Sequence, residues 1–425
     1  MTGGNAILQR RLGVFDATVI GLGSMIGAGV FAAFAPAAHA AGSGLLLGLA
    51  AAAVVAYCNA MSSARLAALY PASGGTYVYG RERLGPFWGY LAGWSFVVGK
   101  TASCGAMALT IGAYVWPEQQ RAVGVAAVVA LTAVNYAGVQ KAAWLTRGIV
   151  AVVLAVLAAF VVAAFTGGEA DATRLDIGAD ATRLDIGADA TRLDIGADAT
   201  VGGVLQAAGL LFFAFAGYAR IATLGEEVRD PARTIPRAIP LALGVTLAVY
   251  AAVAVALLAV LGPQGLAGSA APLADAAGGL APLMRVGAAV AAVGSLLALI
   301  LGVSRTALAM ARDGHLPRAL AAVHPRFGVP HHAELAVGAV VAVLAATADL
   351  RGAIGFSSFG VLVYYAVANA SAWTLGPGAR RLVPAVGLLG CLVLAFALPW
   401  TSAAAGAAVL VAGAALYAAR SRRNT

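Results

Sequence analysis

The sequence predicts an all-α integral membrane protein with twelve transmembrane helices, and three observations carry that prediction. Hydrophobic residues make up 61% of the 425 positions and charged residues only 11%, against roughly a quarter charged in an ordinary soluble domain. The 53 glycines are spread through apolar runs rather than gathered in linkers, so too little polar surface remains to coat a water-soluble particle of this size. The apolar runs also recur at about the 20 residues that a helix needs to cross the hydrocarbon core. Disordered, collagen-like and disulfide-stapled secreted classes are excluded. Apolar content is high, glycine has no triplet period, and Cys58, Cys104 and Cys391 all lie inside apolar runs.

The candidate spans run over 14–37, 44–69, 87–115, 121–138, 145–166, 201–222, 236–262, 281–311, 333–348, 353–375, 382–399 and 401–419. Arg10 and Arg11 precede the first with no small-residue cleavage site, which reads as an uncleaved first helix. The ninth is the shortest. Pro399-Trp400-Thr401 divides the last two, since proline does not readily continue a helix. With the N-terminus in the cytoplasm, 18 of the 27 lysines and arginines fall at cytoplasmic ends and six outside, leaving Lys100, Arg220 and Arg305 within spans. That excess predicts an inner or plasma membrane protein with both termini cytoplasmic. The net charge of +9 does not point to nucleic acid, because the basic residues sit singly or in pairs between apolar segments rather than in a patch.

Between the fifth and sixth spans, over 167–200, Asp171, Asp180, Asp189 and Asp198 mark a nine-residue period, Asp-Ala-Thr-Arg-Leu-Asp-Ile-Gly-Ala written three times. One glycine per unit is too few for a calcium-binding β-roll. An external loop tolerates such an expansion, because each doubling of loop length costs only about 0.6 kcal/mol.

Two spans are interrupted. The first holds Gly21-Leu22-Gly23-Ser24-Met25-Ile26-Gly27-Ala28-Gly29, four glycines in nine residues, and each weakens a helix by about 1 kcal/mol relative to alanine. The sixth holds Phe212-Phe213-Ala214-Phe215-Ala216-Gly217-Tyr218-Ala219-Arg220, a glycine and a charge inside an apolar run. Helix packing through Gly23-x-x-x-Gly27 accounts for the first but not for the second. Freed backbone at membrane depth is tolerated where it lines a cavity or is covered by protein, and paired interruptions point to a midplane site between inverted repeats. Freed N–H groups attract a carboxylate and freed carbonyls accept from an ammonium, so a zwitterion is the natural ligand.

Five stretches in this order, GLGSMIGAGVF at 21–31, YPASGGTY at 70–77, FFAFAGYARIATLGEEVRDPARTIPRAI at 212–239, MARDGHL at 310–316 with Val323-His324-Pro325-Arg326, and 359–369 in the tenth span, resemble the amino acid-polyamine-organocation (APC) transporters. The resemblance covers almost the whole chain apart from the repeat. It implies an inverted repeat of five plus five helices, 14–166 and 201–376, with discontinuous helices 1 and 6, then two peripheral helices over 380–420. It also implies an amino acid permease, a secondary transporter that moves its substrate by alternating access, without cofactor. By the same resemblance Ser24, Met25, Ile26, Gly27, Ala28 and Gly29 meet the substrate through backbone atoms, and Phe213, Ala214, Phe215, Ala216, Gly217 and Tyr218 complete the site. Phe215 and Tyr218 are gates or plain packing.

The sequence also departs from that pattern. Where many relatives carry an acidic residue after the Gly-aromatic pair, this chain has Ala219 and then Arg220, which favours a neutral or anionic amino acid over a cationic one. Lys100, near the middle of the third span, is expensive to insert at about 2.5–3.5 kcal/mol, and reads either as a coupling group or as a structural ammonium on broken-helix carbonyls. Arg220 lines the pocket or holds an inner gate through Glu226 or Glu227. Ser295 is the single hydroxyl in Gly294-Ser295-Leu296, whereas sodium in such a site wants neighbouring hydroxyls. Val153 stands where some proton-coupled relatives have a lysine, so proton coupling would fall to Lys100, with proton-independent exchange as the alternative. A sensor that binds without translocating is the rival from another class. Glu226, Glu227, Arg229, Asp230 and the prolines at 231, 236 and 240 read as a solvated connection. His39, His315, His324, His331 and His332 lack a completing ligand set for a metal, and no nucleotide-binding loop occurs, so enzymatic or primary pumping chemistry is not expected.

Overall fold

The computed structural model describes residues 12–71, 74–138, 143–167, 170–171, 174, 199–222 and 227–424. Most of the nonapeptide repeat, Arg10, Arg11, Lys141 and Glu226 lie outside the described residues. Among the described residues there is no β-strand, and the chain is helical throughout. The helices are α1 (Val14–Met25), α2 (Ala28–Ala32), α3 (Phe34–Ala41), α4 (Leu45–Leu69), α5 (Thr76–Leu84), α6 (Pro86–Val115), α7 (Gln120–Tyr136), α8 (Ala143–Thr166) and α9 (Val201–Phe215). They continue as α10 (Ala219–Ala222), α11 (Pro231–Gly268), α12 (Pro272–Asp275), α13 (Ala281–Arg312), α14 (His331–Thr347), α15 (Leu350–Trp373), α16 (Leu382–Ala397) and α17 (Trp400–Asn424).

Nine helical stretches among the described residues are long and apolar enough to cross a membrane by length and composition. With α7, α14 and α16, which are shorter, they account for every apolar run read from the sequence. Local chemistry sets several starts. Thr200 accepts from the Gly203 N–H at 3.0 Å ahead of α9, and Asp349 from the Gly352 N–H at 2.8 Å ahead of α15, each satisfying an orphan donor of the first turn.

The stretch after Glu227 is a correction. Pro231 opens α11 at its first turn, and Pro236 and Pro240 continue inside the helix rather than in a solvated connection. Proline at a helix start loses no hydrogen bond and brings a helical φ, and Asp230 turns the chain into it with φ 44°. The far end of α11 bends at Gly262, whose φ of 68° lies outside the helical region. Helix α5, between the second and third spans, has no counterpart among the predicted elements.

Helix α6 is the central element and packs against α13 and α15, joined to α15 by a 2.6 Å hydrogen bond between the Ser103 and Ser357 hydroxyls. In lipid, tails are as apolar as the side chains, so close packing and interhelical hydrogen bonds hold such helices together. Phe15, Trp144, Phe396 and Trp400 are each at least 70% exposed, as expected of a surface that meets hydrocarbon and interface rather than water. Ahead of α1, the Leu12 N–H donates to Glu227 O at 3.1 Å and the Arg229 N–H to Leu12 O at 2.9 Å, a parallel bridge between Leu12 and Val228. An ion pair between Arg147 and Asp16 adds a link from α8 to α1.

Candidate functional site

Both predicted interruptions occur, and they differ in kind. Helix α1 ends at Met25, then Ile26 (φ −82°, ψ 42°) and Gly27 (φ −94°, ψ −134°) leave helical geometry before α2 resumes at Ala28. In the sixth span α9 ends at Phe215, and Ala216–Tyr218 tighten into one 3-10 turn before α10. The first is a gap in the helix. The second is a local overwinding, a feature that often marks a hinge or strain within a helix.

The two interruptions lie against each other. Gly217 meets the Ser24 carbonyl so closely that a Cβ at 217 would overlap it. Gly29 meets Ala214, whose Cα would lie 2.7 Å from a Cβ at position 29. Glycine is therefore required at both for steric reasons. Ser24 and Gly217 are half-buried, Arg220 is exposed, and Met25 to Gly29 and Phe213 to Ala216 are buried. Exposure falls away beyond the interruptions, where Phe31, Phe34, Tyr114 and Tyr250 are no more than 1% exposed.

Four side chains from other helices meet the interruptions. Tyr250 of α11 places its hydroxyl 2.5 Å from Met25 O and 3.1 Å from Ala214 O; its one proton is donated to one carbonyl at a time. Lys100 of α6 donates from Nζ to Ala216 O at 3.3 Å, and Tyr365 of α15 donates to the same carbonyl at 3.3 Å. Ser295 of α13 packs on Gly27, and its buried Oγ has no hydrogen-bond partner among the described residues. The tyrosine and lysine contacts satisfy carbonyls at the interruptions, as buried backbone groups require.

The sequence-derived residues therefore fall into three sets. Ser24, Met25, Ile26, Gly27, Ala28 and Gly29 lie at the first interruption, and Phe213, Ala214, Phe215, Ala216, Gly217 and Tyr218 at the second, in direct contact with it, with Lys100 and Ser295 packed on them. Phe215 and Tyr218 are fully buried packing rings in this conformation, 5.1 Å from Tyr250 and 4.9 Å from Tyr365 respectively. Arg220 follows the second interruption on α10, with Glu227 and Arg305 in its electrostatic surroundings. Tyr250 and Tyr365 were not legible as site residues. A tyrosine in an apolar helix looks like core, and only the destination of its hydroxyl distinguishes it.

At the same end as Arg220 a second polar group joins α5, the end of α13 and α17. The Tyr77 hydroxyl donates to Asp313 Oδ2 at 2.5 Å and lies 3.0 Å from His315 Nδ1, while Arg81 pairs with Asp313 at 3.5 Å. Arg420 donates to Gly314 O at 3.2 Å and also to His315 O. Burial, helped by Asp313, raises the Tyr77 hydroxyl above its ordinary range, and burial, with Arg420 and Arg81 nearby, lowers the His315 imidazole below its own.

A family model described as amino acid permease matches residues 12–419. The chain is 74% identical over 421 residues to an uncharacterized transporter of Mycobacterium tuberculosis, an alignment covering 97% of this chain and 92% of that one. It is 26% identical over 451 residues to the branched-chain amino acid permease BcaP of Bacillus subtilis, covering 100% of this chain and 96% of the permease. Similarity to the human cationic amino acid transporter 4 is 28% identity over 390 residues, covering 84% of this chain and 58% of that transporter.

Proposed function

The chain belongs to the amino acid permease family, and from that premise we propose that this multi-pass membrane protein is a secondary active transporter of the cell membrane. It carries a neutral or anionic amino acid by alternating access, coupled to protons, through twelve spans with both termini cytoplasmic. Residues 14–166 and 201–376 are its two inverted repeats, and 380–420 its peripheral pair. The observation that carries this reading is the contact between the two interruptions, where Gly217 meets the Ser24 carbonyl and Gly29 meets Ala214. Backbone groups gathered from a gap in one span and a 3-10 turn in another suit the carboxylate and ammonium of an amino acid.

In this reading the partial exposure of Ser24 and Gly217 corresponds to one face of the cycle. Arg220 and Glu227 act at that face as a gate, and Ala219 followed by Arg220 disfavours cationic substrates. Lys100 is the group that changes charge. Proton-independent exchange is the second reading, favoured by Val153, which is buried and uncharged on α8. Purified protein in proteoliposomes separates the readings with a panel of labelled amino acids. Accumulation above equilibrium under an imposed pH gradient supports proton coupling, and counterflow without such accumulation supports exchange. Saturable binding without any uptake would mean a sensor and overturn the transporter reading.

A further inference from the structure

The strongest unassigned feature is a groove between α4 and α16, away from the helix interruptions. Its volume is about 330 Å³, and Tyr57, Met61, Arg65, Arg380 and Val383 line it. One end is basic and the other apolar. Arg65 lies in the last turns of α4 and donates to Arg380 O at 3.0 Å, which uses one of the five N–H donors of its guanidinium. The Arg380 guanidinium has no hydrogen-bond or ion-pair partner among the described residues. Neighbouring arginines hold the adjoining loop instead, Arg83 through Thr374 O at 2.6 Å and Arg381 through Gly376 O at 3.0 Å.

Neither of the two helices that form the groove supplies a carboxylate. Helix α4 contains no aspartate or glutamate, and none occurs in the chain after Asp349. Away from the arginines the groove runs along an apolar face. Val54, Tyr57, Met61 and Arg65 recur at helical spacing on one side of α4, and Val54 and Tyr57 are 55% and 50% exposed. A guanidinium pair at a helix end, continuous with an exposed apolar seam, matches a ligand with a phosphate at one end and an acyl chain at the other.

We propose that the α4–α16 groove is a binding site for an anionic phospholipid, with the headgroup phosphate on Arg65 and Arg380 and an acyl chain along Tyr57, Met61 and Val383. Free phosphate shares the headgroup chemistry but gains nothing from the apolar seam, so the lipid is the occupant the groove fits. The proposal rests on the chain's being a membrane protein and on nothing about its substrate or coupling.

The test is native mass spectrometry of the full chain released from detergent micelles carrying phosphatidylglycerol or phosphatidylcholine at equal concentration. The wild type should retain phosphatidylglycerol in preference, and Arg65→Gln/Arg380→Gln should reduce that preference by roughly 30-fold, on the order of what two membrane-surface arginines contribute. Arg65→Lys/Arg380→Lys should keep most of it, and Val383→Trp, which fills the seam while leaving the charges, should lower retention of both lipids at this site. Only folded, monodisperse species are scored, so a misfolded variant leaves the other two to decide. Equal retention of the two lipids by the wild type, or an undiminished preference in the double glutamine variant, overturns the proposal. So does displacement of bound phosphatidylglycerol by millimolar inorganic phosphate, which would make the site one for a free anion.

Discussion

Replacing Lys100 with methionine is expected to leave the fold intact and to abolish concentrative uptake. The side chain is 7% exposed, and its hydrogen bond is to Ala216 O at 3.3 Å. That carbonyl is also reached by the Tyr365 hydroxyl at 3.3 Å, so the substitution does not orphan it. Loss of the charged lysine bond removes about 1.5–3 kcal/mol, while placing an ammonium at this depth opposes insertion by about 2.5–3.5 kcal/mol. Methionine fills much the same volume with a flexible apolar chain. The balance predicts a thermal stability between about 0.5 kcal/mol lower and about 2 kcal/mol higher than the wild type. The assay pairs the melting temperature in detergent with labelled amino acid accumulation in proteoliposomes under an inward proton gradient. Full pH-driven accumulation by the methionine variant would refute the coupling role. A marked fall in melting temperature alongside lost uptake would show instead that the ammonium is a structural strut.

Four further outcomes follow from the geometry. Gly29→Ala should cost about 1–3 kcal/mol through overpacking and eliminate transport, since its Cβ would stand 2.7 Å from Ala214 Cα, whereas Gly148→Ala, with nothing within 4 Å, should match the wild type in melting and uptake. Tyr250→Phe should destabilise by about 1–3 kcal/mol, because Met25 O loses its donor in a buried setting; an unchanged melting curve would show that the hydroxyl is dispensable. The His315 imidazole is held below its ordinary value by burial, so its neutral form contributes stability above the unfolded value that is lost as pH falls through the folded value. His315→Gln should therefore flatten the fall in melting temperature between about pH 7.5 and about pH 5, and an equally steep fall in the variant counts against this. Deleting two copies of the nonapeptide repeat should leave uptake unchanged at equal surface expression.

The membrane class, the apolar helices and the location of the first interruption were legible because each is written in local composition: long apolar runs, and four glycines within Gly21 to Gly29. Lys100 stood out because charge at membrane depth is rare. The start of α11 was misread, since Pro236 and Pro240 look like breakers until one sees that Pro231 has already opened the helix. The character of the sixth span, a 3-10 turn rather than a gap, depends on Gly217 docking on the Ser24 carbonyl, a contact between residues far apart in sequence. Tyr250 and Tyr365 were hidden for the same reason. Their rings obey the apolar pattern, and only tertiary structure tells where the hydroxyls end.

The bridge between Leu12 and Val228 has a mechanical consequence. It fastens the foot of α1 to the segment that leads into α11. Both bonds run from main chain to main chain, which makes the yoke indifferent to side-chain identity at either residue; only loss of an N–H, as in Leu12→Pro, unhitches a rung. Side chains at Leu12 and Val228 can thus change while the two segments stay harnessed.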